Sequence, residues 1–94
     1  YSCTKAANMA ITKSVGLSVA DTGIRVNGIA PSIVLTKPVR EATAEERDYM
    51  VAKIPTGRPG DVAEVVSTIC WLASAEGSFT NGVIFDVTGG RATY

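Results

Sequence analysis

The chain has 94 residues, of which 46% are hydrophobic and 19% are charged, so it is long enough for one domain at most and too apolar for a disordered segment. Nine basic residues balance nine acidic ones, and this neutrality gives no reason to expect a nucleic-acid or anionic-membrane partner. Histidine is absent, which removes the commonest general base and metal ligand, and we predict no metal site.

The first predicted element is a helix over residues 1 to about 20, which is apolar around most of its circumference. Such a helix is expected to be buried on most sides, and Gly23 suits the left-handed position that ends it. Within its first turn, Tyr1 and Lys5 are four residues apart and therefore share one face. The ammonium would favour the phenolate, so the two side chains form a candidate proton-transfer pair.

A short strand is predicted next, over residues 24–30. Its β-branched residues do not alternate cleanly, which suits a strand covered on both faces. Pro31 is expected to end it, because proline has no N–H to donate to a neighbouring strand. We interpret Asn27 as a structural residue that bonds backbone near the strand end, and Arg25 as a structural or solvated charge.

Residues 31–60 form the least regular stretch and contain all four prolines of the chain. Within it, Thr43 and Glu46 have the spacing of a capping box and predict a short helix through about Lys53. Two interpretations remain open for residues 37–54. They are either a surface connection with a helical insert or a lid over a substrate, since long irregular connections are often functional.

The clearest predicted helix begins at Asp61, with Glu64 three residues further on and Pro59 just outside. Apolar residues recur along one face, which we expect to be buried, at positions 62, 65, 66, 69, 72 and 73. Trp71 falls off this stripe, so we expect it to cover a subunit contact or a second layer.

The two cysteines, Cys3 and Cys70, are far apart and do not form a CxxC pair. We predict that both are free thiols, with Cys70 on a buried helix face, in a reducing compartment and hence in the cytoplasm. No apolar run approaches the ~18 residues of a membrane span, so we expect no membrane partner.

The last predicted elements are a turn at Asn81-Gly82, a buried strand over residues 83–87 and a turn with Gly89 and Gly90. Asp86 is interpreted as structural. The order is helix, strand, lid-like loop, helix, strand, and two strands joined by a helical crossover should be parallel neighbours. This predicts an α/β fold. A chain rarely starts on a candidate acid/base tyrosine without a preceding cap, so we expect this chain to be the C-terminal piece of a longer enzyme. Two parallel strands alone, which leave edges and faces uncovered, also favour a fragment.

Five short patterns occur along the chain, in this order: Tyr1-x-x-x-Lys5, Gly23-Ile24-Arg25-Val26-Asn27, Ala30-Pro31, Gly57-Arg58-Pro59 and Asp86-x-x-Gly89-Gly90. Together they resemble the C-terminal part of short-chain dehydrogenases/reductases, over essentially the whole chain. The resemblance implies an α/β fold, the C-terminal part of a Rossmann-type doubly wound parallel sheet that binds NAD or NADP. We therefore expect residues 1–94 to be the C-terminal portion of a single domain of this type, with a substrate loop at about 37–54.

By this resemblance, Tyr1 matches the catalytic acid/base, which protonates a substrate carbonyl as hydride arrives or removes the hydroxyl proton in the reverse direction. Lys5 matches the residue that eases proton loss from the tyrosine and hydrogen-bonds the nicotinamide ribose. Each has a plain alternative, because Tyr1 could be an ordinary partly buried aromatic residue and Lys5 a solvated helix charge.

The segment that follows the first strand matches the part of the family that meets the nicotinamide. The cofactor-binding residues implied are Tyr1, Lys5, Pro31, Ser32, Val34 and Thr36. Val34 would offer backbone hydrogen bonds to the carboxamide and Thr36 its hydroxyl, although Thr36 could instead cap the next segment. Most members carry glycine where this chain has Ser32, whose Cβ restricts the backbone and whose hydroxyl could reach the substrate or cofactor.

The resemblance also defines what the 94 residues lack. The glycine-rich fingerprint TGxxxGxG, the residue that selects NAD or NADP, the catalytic serine and a helix asparagine would all precede Tyr1, so we expect no measurable oxidoreductase activity from the chain alone. The implied partners are a small alcohol or carbonyl substrate and further copies of the subunit in a homodimer or homotetramer. The alternative is an inactive truncated copy that acts only as a subunit-assembly module. Arg58 is interpreted as a structural or solvated charge.

Overall fold

The computed structural model describes residues 1–92, which alternate between helices and strands. The elements are α1 (Ser2–Ser18), β1 (Gly28–Pro31), α2 (Lys37–Glu41), α3 (Ala44–Val51), α4 (Val62–Ala73) and β2 (Ile84–Val87). The two strands are hydrogen-bonded neighbours. The N–H of Gly28 donates to the Val83 carbonyl at 2.8 Å, and the N–H of Ser32 donates to the Val87 carbonyl at 3.3 Å. The residue numbers of the bonded partners increase together along the two strands, so the strands are parallel. The predicted α/β class is confirmed.

The described residues fall into two compact units. The first unit contains residues 1–29 and 69–85, and the second contains residues 30–68 and the segment from Asp86. No helix within residues 1–92 is both long and apolar enough to cross a membrane.

In the first unit, α1 is followed by a 3₁₀ turn over Ala20–Thr22, and Gly23 ends it with a φ of 80°, as predicted. Gly16 is the buried residue of α1. A Cβ added to Gly16 would lie 2.8 Å from the Cα of Gly82, so a glycine here permits a close approach between two backbones. The Asn81 side chain stabilises this close contact, because its Nδ2 donates to the Gly16 carbonyl at 2.7 Å.

Arg25 binds the carbonyl groups that end α4. Its Nη1 donates to the carbonyls of Leu72 at 2.7 Å and Gly77 at 2.6 Å, and its Nη2 donates to that of Ser74 at 3.0 Å. The last carbonyls of a helix have no partner within the helix. Arg25 therefore has a structural role, as predicted.

Asn27 also bonds backbone. Its Nδ2 donates to the Thr80 carbonyl at 3.0 Å, and its Oδ1 accepts the N–H of Val83 at 3.2 Å. The predicted structural role of Asn27 is confirmed.

The predicted bounds of the first strand are wrong. Residues 24–27 are not in a strand, because the Val26 N–H donates to the Asn81 side chain at 2.9 Å instead of to a strand ladder. The strand instead includes Pro31. The N–H groups of Gly28 and Ser32 point to β2, and alternate residues point to opposite sides. The nitrogen of Pro31 thus faces away from β2, and its missing N–H costs no bond there.

In the second unit, α3 begins with the predicted capping box. The Thr43 Oγ1 accepts the Glu46 N–H at 3.2 Å, and the Glu46 carboxylate accepts the Thr43 N–H at 2.9 Å. These bonds lower the pKa of Glu46. The helix ends at Val51, slightly before the predicted end. The helix α2 was not predicted, although Thr36 is its N-cap and Pro38 lies in its first turn, where a missing N–H is tolerated.

The predicted burial of α1 is wrong. The side chains of Ile11 and Leu17 are 58% and 81% exposed. Among the described residues, the buried hydrophobic side chains are those of Ile54 and Leu72. An apolar helix face is buried only when a second layer packs against it. The described residues do not provide such a layer for α1.

The predicted burial of the α4 face and of the last strand is also wrong. Val66 and Ile69 are 47% and 50% exposed, Cys70 is exposed, and β2 is only half-buried. The prediction of free thiols is confirmed for Cys3 and Cys70. The Trp71 ring packs edge-on against Phe85, with 5.8 Å between centroids.

Candidate active site

Tyr1 and Lys5 lie one helical turn apart at the start of α1. Tyr1 is the N-cap residue, and its carbonyl accepts the Lys5 N–H at 3.0 Å. The Lys5 Nζ lies 5.5 Å from the centre of the Tyr1 ring, which is within the range of a cation–π contact. The two side chains therefore lie on the same side of the helix. The Tyr1 side chain is 93% exposed, so its hydroxyl is open to a reactant.

In the segment after β1, the backbone N–H and C=O of Val34 point away from the neighbouring residue Gly60. Val34 and Gly60 form a parallel bridge, in which Gly60 donates to Ile33 at 2.9 Å and accepts from Leu35 at 2.8 Å. In such a bridge the N–H and C=O of the middle residue point to the opposite side. The Val34 carbonyl accepts the Thr36 N–H at 2.7 Å, while the Val34 N–H faces away from Gly60.

Thr36 is the N-cap residue of α2, but within residues 1–92 its side chain makes no capping hydrogen bond. Thr36 therefore occupies the cap position, as the alternative interpretation predicted, but its hydroxyl does not act as the capping group. Thr36 is exposed, and so is Pro31 at the end of β1.

Ser32 replaces a family glycine without backbone strain, since every non-glycine residue in the described part of the chain has a negative φ. Its Oγ donates to the Thr88 carbonyl at 3.2 Å. The turn that follows β2 is made by Gly89 and Gly90, whose φ values are 61° and 87°. These two are turn glycines, as predicted.

The second unit contains a cavity of about 300 Å³, near the lower end of the volumes of ligand pockets. Three hydroxyl-bearing residues line it, Ser32, Thr56 and Thr88, together with the carboxylates of Glu64 and Asp86. The sequence did not predict this cavity, because its walls come from three segments that are distant along the chain.

An ion pair borders the cavity. The Arg58 guanidinium binds both carboxylate oxygens of Glu64, at 2.7 and 2.9 Å, and Glu64 also accepts the Asp61 N–H at 2.7 Å. The Arg58 hydrogen bond, followed by the Asp61 bond, lowers the pKa of Glu64 to about 2. Arg58 is therefore a structural charge at the start of α4, as predicted.

A second tyrosine–lysine pair, formed by Tyr49 of α3 and Lys53 in the turn that follows, was missed in the sequence. Tyr49 and Lys53 repeat the spacing of Tyr1 and Lys5. The Lys53 Nζ donates to the Tyr49 Oη at 2.7 Å. That hydrogen bond, followed by the charge of Lys53, lowers the pKa of Tyr49. The spacing itself is the signal that would have revealed this pair.

Metal-ligating residues do not cluster in the part of the chain that the structure describes, where no group of three or more His, Cys, Asp or Glu side chains could hold an ion. The chemistry available at Tyr1 and Lys5 is proton transfer beside a cation.

Comparison with known proteins identifies the family. The family model described as enoyl-(acyl carrier protein) reductase matches residues 1–92. The chain belongs to the short-chain dehydrogenase/reductase family. It is 38% identical over all its 94 residues to the 2-dehydro-3-deoxy-L-rhamnonate dehydrogenase (NAD(+)) of a Sphingomonas species, and it covers 38% of that protein. It is 36% identical over 90 residues to the 3-oxoacyl-[acyl-carrier-protein] reductase FabG of Vibrio cholerae, covering 96% of this chain and 37% of FabG.

The same fold occurs in a crystal structure of a 3-oxoacyl-[acyl-carrier protein] reductase from Brucella melitensis. The TM-score is 0.94 at 35% identity, and the match covers 100% of this chain and 35% of that one. The predicted fold, the C-terminal part of a Rossmann-type parallel sheet, is confirmed. This short-chain dehydrogenase/reductase chain thus spans well under half the length of the relatives it matches.

Proposed function

We propose that this chain is the acid/base part of an NAD(P)-dependent oxidoreductase that transfers hydride between nicotinamide and an alcohol or carbonyl substrate. The observation that carries the proposal is the Tyr1–Lys5 pair at the start of α1, with Lys5 Nζ 5.5 Å from the Tyr1 ring centre, in a chain of this family. The free thiols of Cys3 and Cys70 favour a reducing compartment, and we place the protein in the cytoplasm.

The residues after β1 fit the nicotinamide end of the cofactor. The Val34 N–H faces away from Gly60 and would donate to the carboxamide, and the exposed Thr36 hydroxyl would hydrogen-bond the same group. Pro31 and Ser32 shape the backbone that leads to them. When bound, the cofactor supplies or accepts the hydride. NAD and NADP both remain candidates, since the names of the relatives include an NAD(+) enzyme and the chain carries no residue that we assign to the choice.

Tyr1 would hold the proton that balances the hydride. In reduction its Oη donates to the substrate oxygen, and in oxidation it removes the hydroxyl proton. Lys5 would stabilise the phenolate that remains and hydrogen-bond the ribose. A positioned acid/base group of this kind contributes about 10²–10⁴-fold to the rate.

The experiment that tests this proposal is a chimera in which the chain replaces the corresponding 37% of Vibrio cholerae FabG. Reductase activity with NADH or NADPH is followed by nicotinamide absorbance. We expect Tyr1→Phe to reduce kcat by about 10²–10⁴-fold, whereas the control Lys13→Met, which removes an exposed side chain further along α1, leaves kcat within about twofold. A folded chimera with equal activity in both variants would refute the role of Tyr1.

The 94-residue chain alone provides a second test. We expect no turnover of either nucleotide with a panel of carbonyl compounds, because the pyrophosphate cradle of the family is not among its residues. Activity above the background rate would contradict this expectation.

A second candidate function is subunit assembly without catalysis. The exposed apolar side chains of α1 favour it, with Leu17 81% exposed, as does Phe79 in the first unit, whose side chain is fully exposed. Contiguous exposed apolar surface marks interaction sites, and the occupant we propose is a further copy of the subunit, in a dimer or tetramer.

Size-exclusion chromatography with light scattering distinguishes the assembly proposal. We expect the chain to elute as a dimer or larger species, and Leu17→Glu to shift it toward monomer. A folded monomer at all concentrations would exclude self-assembly through α1.

A further inference from the structure

Tyr49 of α3 and Lys53 in the turn after it have the same residue spacing as the proposed acid/base pair, and a direct hydrogen bond joins their side chains. We propose that the Tyr49 hydroxyl is an activated phenol and the preferred site of covalent O-modification relative to Tyr1, with sulfonyl electrophiles as the reagent class. This proposal concerns a different residue from the proposed oxidoreductase function and does not depend on it.

The geometry places the Lys53 ammonium at the oxygen of Tyr49. The distance from Lys53 Nζ to Tyr49 Oη is 2.7 Å, and that from Nζ to the ring centre is 3.9 Å. An N⁺–H donor at this distance stabilises the phenolate more than the phenol, because a charge-assisted hydrogen bond is stronger to an anion. In the Tyr1 pair, by contrast, the ammonium lies 5.5 Å from the ring centre.

The charges around the phenol act in the same direction. The Lys53 hydrogen bond and charge lower the pKa of Tyr49, burial raises it by less, and the charge of Arg91 lowers it further. The Tyr49 side chain is 65% exposed, so a reagent can reach the oxygen. The Tyr49 hydroxyl is therefore both activated and accessible to a reagent.

The reaction with an arylsulfonyl fluoride follows from this arrangement. The Tyr49 oxygen attacks sulfur, an O–S bond forms as the S–F bond breaks, and fluoride leaves. The phenolic proton passes to buffer, and no atom is oxidised or reduced. Lys53 remains as an ammonium beside the new ester, and its donated hydrogen bond stabilises the attacking phenolate.

The test is competitive labelling of the 94-residue chain with an arylsulfonyl fluoride near neutral pH, with peptide mass spectrometry to quantify each tyrosine. We expect Tyr49 to be labelled at least about threefold faster than Tyr1, because the Lys53 ammonium hydrogen-bonds the Tyr49 oxygen that attacks. Lys53→Met should abolish this preference, whereas the matched control Lys13→Met, which removes an exposed lysine from α1, should keep it.

Denaturation tests whether the preference for Tyr49 depends on the folded structure or only on the local sequence. In concentrated urea, the preference for Tyr49 should fall to about onefold, because the helix that aligns Tyr49 with Lys53 is lost. The same labelling of the FabG chimera provides a second folded context, in which Lys53→Met should again slow Tyr49. Equal rates for the two tyrosines in the native chain, or a Tyr49 rate that Lys53→Met leaves unchanged in both contexts, would overturn the proposal.

Discussion

Each compact unit of this protein contains one tyrosine–lysine pair with the same spacing, and the two pairs differ in what the ammonium contacts. In the first unit, Lys5 lies beside the ring of Tyr1, with Nζ 5.5 Å from the ring centre. In the second unit, Lys53 donates a hydrogen bond to the Tyr49 oxygen at 2.7 Å. Tyr1 is the N-cap of its helix, whereas Tyr49 lies in the last turns of α3.

The comparison shows that an i, i+4 spacing brings two side chains within reach but does not decide which atoms meet. The pair that belongs to the sequence motifs of the family is Tyr1 and Lys5, whereas the side-chain hydrogen bond lies between Lys53 and Tyr49. The assignment of Tyr1 to catalysis therefore rests on the family resemblance and stays a prediction.

The two lysines give the largest expected contrast. In the FabG chimera, we expect Lys5→Met to lower kcat/KM by about 10²-fold, because the phenolate and the ribose both lose a cation. Lys53→Met should change kcat/KM by less than about twofold. Steady-state kinetics measure both variants, and an equal loss from the two would mean that the pairs share one role.

Two arginines extend the comparison to stability. Arg25→Met removes three bonds to carbonyls at the end of α4, and we expect the free energy of unfolding of the chimera to fall by about 2–3 kcal/mol. Arg58→Met should cost less, because Arg58 and Glu64 are 57% and 45% exposed and exposed ion pairs contribute little. Urea denaturation followed by circular dichroism measures the free energy of unfolding of both variants. A larger loss from Arg58→Met would contradict our expectation that Arg25 contributes more to stability.

The smallest expected effect is a dependence on pH in the second unit. The pKa of Glu64 is about 2 in the folded chain against an ordinary value of 4.5. A lowered carboxyl pKa stabilises the folded state above the unfolded value, so this contribution is complete above about pH 4.5 and is lost as the pH falls toward about 2. We expect Glu64→Gln to flatten the decline of stability over that range, as measured by urea denaturation at several pH values. A decline as steep as in the unsubstituted chimera would contradict the assignment.

Much of the local structure was predictable because short-range chemistry specifies it. The Thr43–Glu46 capping box and the left-handed Gly23 both occur as predicted. The bonds of Arg25 and Asn27 reach carbonyls about 50 residues away, so their partners could not be predicted from neighbouring residues. The candidate site was predictable only through the resemblance to the family, since spacing alone would have selected Tyr49 as readily as Tyr1. Whether the predicted residues act on a cofactor stays a prediction.

The sequence by itself indicated α1, α3, α4 and two parallel strands, together with the resemblance to the family, but it missed α2 and misplaced the bounds of β1. It did not determine burial, because the apolar faces of α1 and α4 predict an interior only if other layers cover them. Only the tertiary structure decided that Leu17 and Ile69 are exposed, that Ser32 bonds the Thr88 carbonyl, and that three distant segments line one cavity. Local elements depend on neighbours a few residues away, whereas burial and cavities depend on contacts between residues that are far apart in the chain.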